Sequence, residues 1–194
     1  MAVIIPEYNS IFVHIPKTGG SSIQEWLLNN TTASHTAKGN KHHNLDRLES
    51  IYGKFNFSFT VVRNPWDWCV SWYFFRRDRA LRRLSSPKDK GKFSLKYNQH
   101  VLSEFDKGFD YFLETTSLTP QFDKTLGVDY IIKLENINQD IKLLKEKFNI
   151  THDLPYVNQS IRDKDYKQYY NSNTIKIVEE KFSKDITEFN YTFD

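Results

Sequence analysis

The stretch SIFVHIPKTGGSS, residues 10–22, constrains the fold more than any other part of the chain. Its first half is short, apolar and β-branched, the pattern of a buried strand, and Pro16 stops it. A strand is therefore predicted over Ser10–Ile15. Gly19 and Gly20 then turn the chain, because glycine takes positive φ without steric cost. From Ser21 to Asn29, Ile23, Trp26 and Leu27 recur at helical spacing, and Asn29–Asn30 marks the stop. A strand that runs through a glycine turn into a helix places backbone N–H groups, aided by the helix dipole, where an anion can sit.

The rest of the chain repeats the alternation. FSFTVV, residues 57–62, reads as a second strand of the same type. Asn64–Pro65 reads as a helix start, with Asn as N-cap and Pro at the first helical position, and the helix is predicted to run to about Leu84. SSPKDKGK, residues 85–92, reads as a loop, and one helix is expected from about Leu95 to Thr115. VDYIIK, residues 128–133, is a third strand. Ile137, Ile141, Leu144 and Phe148 keep a helical period, as do Ile175, Val178, Phe182 and Ile186. Strands alternating with helices predict an α/β fold, a three-layer sandwich around a mainly parallel sheet. With 194 residues, a single domain over 1–194 is expected. Ligands of such sheets lie beyond the carboxyl ends of the strands, where Lys17 and Arg63 both fall.

The chemistry of the first turn fits a phosphate. Thr18, Ser21 and Ser22 offer hydroxyls, Gly19 and Gly20 let the backbone approach, and Lys17 adds a point charge. The order differs from the common triphosphate loop, in which the Lys follows the glycines. The plain alternative is a glycine turn with Lys17 in solvent. A second cation follows the second strand in VVRNPWDWCVSWY, residues 61–73. Arg63 stays charged and can grip a phosphate with two N–H groups. Ser71, two helical turns further on, can share that anion if the chain folds back; the alternative is a carboxylate partner for Arg63 and a packed Ser71. Two such sites at adjacent strand ends point to one ligand with two phosphate groups.

At these residues the chain resembles a known family. HIPKTGGSS resembles the 5′-phosphosulfate loop, and RNPWDWCVS the 3′-phosphate motif, of sulfotransferases that use 3′-phosphoadenylyl sulfate (PAPS). The resemblance is to the carbohydrate branch that includes heparan sulfate 2-O- and 6-O-sulfotransferases and small bacterial relatives. It continues through KHHNLDRL, VDYIIKLENINQDIKLLKEKFNI, LPYVNQS and YYNSNTIKIVEEKFSKDITEFNYTF, and so spans most of the chain. Two positions depart from the pattern. Trp68 stands where the family has Arg after the Trp–Asp pair, and Ser21 stands where a Thr is common.

The resemblance implies sulfuryl transfer from PAPS to an acceptor hydroxyl, probed for a carbohydrate first, with 3′-phosphoadenosine 5′-phosphate (PAP) as product and no metal. Lys17 corresponds to the lysine that stabilises charge on the leaving phosphate oxygen. His42, in the Lys41–His42 pair, corresponds to the base that takes the acceptor proton, work that suits imidazole near neutral pH. His43 is assigned to the acceptor, and His14 to support of the loop. Asn158 and Ser160 match a late family segment near the nucleotide, and Arg162 is assigned to the 3′-phosphate. His35, His42 and His43 are weighed as a zinc set and set aside, because no cysteine or fixed carboxylate completes it. Trp66, Trp68 and Trp72 are expected mostly in the core, the alternative being a stacking wall for a sugar or adenine.

Charge adds one more element. Net charge is only +3, but eight Lys or Arg fall between Arg76 and Lys92 against Asp78 and Asp89. Arg76, Arg77, Arg82 and Arg83 are therefore assigned to an acidic or polar acceptor, with a solvated helix face as the alternative. No nucleic-acid partner is expected. Cys69 is the only cysteine, and no segment has the pattern of a signal peptide or a membrane span, so a cytoplasmic enzyme is expected. Two rivals remain at this level: a phosphotransferase on a related nucleotide fold, and a non-catalytic module that binds acidic polysaccharide.

Overall fold

The computed structural model describes residues 1–37, 42–85, 95–157 and 162–193. The chain divides into two compact units, Met1–Asn64 with Thr119–Gln159, and Pro65–Leu118 with Ser160–Asp194. Among the described residues, no helix is long and apolar enough to cross a membrane.

The first unit is α/β. Its elements are β1 (Val3–Ile5), β2 (Ser10–Val13), α1 (Gly20–Asn30), β3 (Ser34–His35), α2 (Leu45–Tyr52), β4 (Phe57–Val62), β5 (Tyr130–Lys133) and α6 (Ile137–Lys147). The five strands lie in the order β3-β1-β2-β4-β5. β2, β4 and β5 pair in parallel, with Val13 opposite Thr60 and Val62 opposite Lys133. β1 runs against both β2 and β3, so it alone opposes the common direction. Successive β2 side chains point to opposite faces of the sheet. Phe12 joins Ile23, Trp26 and Leu27 of α1 and Ile141 and Leu144 of α6 on one side. Ile11 and Val13 join Leu45 and Leu48 of α2 on the other. Burying a side chain of this size contributes about 1.5–3 kcal/mol, so both helical layers are held chiefly by this packing.

The strand limits differ from the sequence expectation for local reasons. β2 ends at Val13, two residues early, and the Thr60 hydroxyl donates to the Val13 carbonyl at 2.7 Å, where the chain leaves the sheet. β5 begins at Tyr130 because Asp129 acts as an acceptor for its neighbour strand. Its carboxylate takes both the backbone N–H and the hydroxyl of Ser58, each at 2.7 Å. The short elements β1, β3 and α2 carry too few residues for a periodic signal. α2 is nevertheless capped at both ends: the Asn44 side chain accepts from the Arg47 N–H, and Gly53 leaves the helix at φ +90°.

The second unit is helical. It holds α3 (Pro65–Ser85), α4 (Leu95–Asp106), α5 (Phe109–Thr115), α7 (Ser172–Lys181) and α8 (Ser183–Phe189). The helix predicted across 95–115 is broken at Gly108, whose φ of +95° no other residue adopts cheaply. The break lets Phe105, Phe109 and Phe112 all gather on Tyr73 of α3, with ring centroids 4.3, 5.2 and 5.4 Å away. Likewise the period through Ile175–Ile186 is carried by two helices that meet at Phe182. Trp66 and Trp68 are 2% and 3% exposed, so both belong to the core rather than to a stacking wall. Trp68 meets Phe182 edge-on at 5.7 Å, a contact within the helical unit. The expected loop at 86–92 lies outside the described residues, as do Lys41, Asn158 and Ser160.

Candidate active site

β2 and β4 are parallel neighbours, so the segments leaving their carboxyl ends emerge side by side. From β2 the chain turns through Pro16, Lys17, Thr18 and Gly19 into α1. Lys17 has φ +69° and Gly19 φ +78°. The second value suits glycine. The first costs an L-residue about 1–2 kcal/mol and needs surroundings that enforce it. Two such contacts are visible. The Thr18 hydroxyl, wholly buried, donates to the Ile15 carbonyl at 2.8 Å. The Arg63 guanidinium Nη1 donates to the Lys17 carbonyl at 3.1 Å.

Arg63 is itself fixed by a residue that sequence reasoning missed. The Gln121 side chain accepts the Arg63 N–H at 2.9 Å and donates to the Arg63 carbonyl at 2.7 Å. Gln121 is 1% exposed, so this two-point clamp works away from water. Glu135 accepts the next backbone N–H, that of Asn64, at 2.7 Å. Nothing local to Gln121 announces this role. Its signal is a contact between the residue that follows β4 and a bend 58 residues further along the chain.

The glycines are shaped by their neighbours. A Cβ on Gly20 would lie 2.2 Å from His14 Cδ2 and 2.4 Å from its Nε2. A Cβ on Gly19 would lie 2.7 Å from Leu134 Cδ1. Thus His14 lies against the start of α1. His14 also lies against His42, with ring centroids 5.2 Å apart. The segment bearing His42 is pinned by Lys124, whose ammonium donates to the His42 carbonyl at 2.9 Å. The structure therefore joins Lys17, Gly20, His14, His42 and Arg63 into one cluster of the first unit. His43 follows on the same segment, half-buried.

The hydroxyls of the loop divide by burial. Ser21 is exposed in the first turn of α1, where N–H groups have no intrahelical acceptor. The Ser22 hydroxyl accepts the Val157 N–H at 3.2 Å, which ties the start of the late VNQS segment to α1. The Thr18 hydroxyl has its hydrogen engaged by the Ile15 carbonyl, so it has none left to donate elsewhere.

In the second unit, Ser71 is 2% exposed on α3. The Arg162 side chain is 5% exposed and forms an ion pair with Asp67, in the first turn of α3. The pair ties Arg162 to the start of α3. The basic residues of α3 also separate. Arg77 pairs with Asp78 at 2.8 Å and lies over the Phe74 and Phe105 rings at 4.7 and 5.0 Å. Arg82 is exposed and its Nε donates to the Asp78 carbonyl at 3.3 Å. Arg76 and Arg83, together with Arg79, line a common cavity. His35 lies in β3 opposite Val3. Among the described residues, no three His, Cys, Asp or Glu side chains are arranged to hold a metal ion.

These features define a class: an α/β protein in which two parallel strands deliver a lysine and an arginine to one edge, ahead of a helix N-terminus. The sequence profile of the sulfotransferase family matches residues 1–192, and the chain belongs to that family. Membership makes it a transferase, with sulfuryl transfer as its reaction class and a separate acceptor as its second substrate. No curated protein and no solved structure matches the chain.

Proposed function

We propose that this protein moves a sulfuryl group from PAPS to a hydroxyl of a carbohydrate acceptor. The observation that carries the reading is the hydrogen bond from the Arg63 guanidinium to the Lys17 carbonyl, at 3.1 Å. It couples the two cationic strand ends that the sequence motifs assign to the two phosphate groups of one nucleotide.

In this reading the N–H groups at Thr18–Ser22 receive the 5′-phosphate, with the positive end of α1 behind them. Arg63 receives the 3′-phosphate through its guanidinium. The donor supplies a sulfuryl group already activated by its bond to phosphate. His42 takes the proton from the acceptor hydroxyl as that oxygen forms its bond to sulfur. Lys17 stabilises the negative charge that collects on the phosphate oxygen when the old S–O bond breaks. His14 holds His42 and the loop in mutual register through its two contacts. His43 is assigned to the acceptor.

Calorimetry with PAP, and with adenosine 5′-phosphate as the analogue lacking the 3′-phosphate, tests the donor assignment. Charge-assisted bonds of this kind contribute about 1.5–3 kcal/mol, so Arg63→Ala weakens PAP about tenfold to a hundredfold. The analogue loses much less. Equal affinity of the wild-type protein for both nucleotides overturns the assignment. An acceptor screen with ³⁵S-labelled PAPS tests the transfer itself.

A further inference from the structure

Two contacts of the candidate site come from one short stretch of chain. Gln121 holds the Arg63 backbone through its N–H and its carbonyl. Three residues on, the Lys124 ammonium donates to the His42 carbonyl at 2.9 Å. Between them runs a single turn of 3₁₀ helix, Phe122–Lys124. Resting on the transfer reading above, we infer that this turn is a brace that sets the base relative to the donor arginine, with Lys124 as the positioning residue for His42.

The turn is built to be stiff. The Lys124 N–H donates to the Gln121 carbonyl at 2.8 Å, and the N–H and hydroxyl of Thr125 both donate to the Phe122 carbonyl at 2.9 Å. The Val128 N–H meets the Thr125 carbonyl at 3.0 Å. Gln121 and Thr125 are buried, and Val128 packs against the core that holds Leu45 and Leu48 of α2. A Cβ on Gly127 would lie 3.8 Å from Leu45 Cδ2, so the chain after the turn runs beside the helix that follows His42. His42 itself lies between β3 and α2, where neither a strand ladder nor a helical repeat sets its backbone. Lys124 reaches it from 82 residues away. A lysine that only solvates a surface leaves its ammonium in water. Lys124 directs its ammonium at a main-chain carbonyl, a charge-assisted bond stronger than one between neutral groups. Since a misplacement of about 1 Å can cost about 10²-fold in rate, such a bond bears on turnover without touching substrate.

The test is NMR of the histidine rings in the full chain, with the His42 signal assigned by its loss in His42→Ala. PAP calorimetry and ³⁵S transfer from PAPS to the unsulfated heparan backbone accompany it. Lys124→Met keeps the stem but removes the charge and the donor. It moves or broadens the His42 signal and leaves those of the exposed His100 and His152 in place. It lowers kcat about tenfold to a hundredfold, while PAP affinity and the KM for PAPS stay within about twofold. Lys124→Arg restores the signal and kcat, because a single bond to a carbonyl needs no particular head-group shape. In the His42→Ala background, Lys124→Met causes no further loss of kcat. An unmoved His42 signal overturns the brace. So does an equal loss of kcat with and without His42, which reports a general structural role. If the wild type transfers nothing to this acceptor, the NMR signal and its rescue by Lys124→Arg decide the brace alone. An unchanged kcat in His42→Ala overturns the base assignment instead, while a moved signal in Lys124→Met still upholds the brace.

Discussion

Arg63 and Arg82 are both cations of a basic chain, and the fold treats them in opposite ways. Arg63 is gripped from both sides of its backbone by the buried Gln121, and its guanidinium meets the Lys17 carbonyl. Arg82 stands exposed on α3 and, among the described residues, bonds to a carbonyl of its own helix, one turn back. An arginine held this way has little rotamer freedom left to lose when an anion arrives, whereas an exposed one must give it up on binding. Local charge is thus a poor guide to a site. What matters is whether the surrounding backbone fixes where the charge points.

The largest expected effect tests the fixed region. His42→Ala lowers kcat about 10²–10⁴-fold while PAP still binds. His43→Ala changes kcat by only a few-fold. The reverse result moves the base by one residue and detaches it from the contact with His14.

Next comes the packing that brings His14 to the loop. Gly20→Ala puts a methyl group 2.2 Å from the His14 ring, so the ring or the helix start must move. Overpacking of this kind costs about 1–3 kcal/mol, read as a lower unfolding free energy in denaturant. The same variant loses kcat more than PAP affinity, because His14 also bears on His42. Unchanged stability and turnover mean that the cluster is looser than its contacts imply.

Gln121→Ala asks whether the clamp or the charge matters for Arg63. It leaves buried Arg63 backbone groups without their partner, at a cost of about 1–3 kcal/mol in thermal or urea unfolding. PAP affinity falls with Arg63 still present. If affinity is untouched, Arg63 does not need its backbone held.

The smallest effect belongs to the exposed region. Arg82→Ala changes stability by less than about 0.5 kcal/mol and leaves PAP affinity alone. A large loss there removes the contrast between the two arginines.

How much of this was legible beforehand varies residue by residue. The strand at Phe57–Val62 and the helix start at Pro65 were readable because a six-residue apolar run and an Asn–Pro pair are strong local signals. The loop from Lys17 to Gly20 was readable because glycine, hydroxyl and lysine have few other uses together. The pairing of Arg162 with Asp67 was not legible, because the two residues lie far apart in sequence. The arginines of α3 were legible as a charge run, while their division among Asp78, Glu104 and the aromatic rings was not.

By itself the sequence determined the alternation of strand and helix, the turn between β2 and α1, and the cations that leave β2 and β4. Those features depend on side-chain size, φ preference and hydrophobic period, all of which act over a few residues. Only the tertiary structure decided that β1 runs against the other strands, that Gln121 holds Arg63, that His14 bridges Gly20 and His42, and which α3 arginines share a cavity. Each of these is a contact between residues far apart in the chain. Local propensity has no term for such contacts, because they form only when packing and buried hydrogen bonds select one arrangement among many of similar local energy.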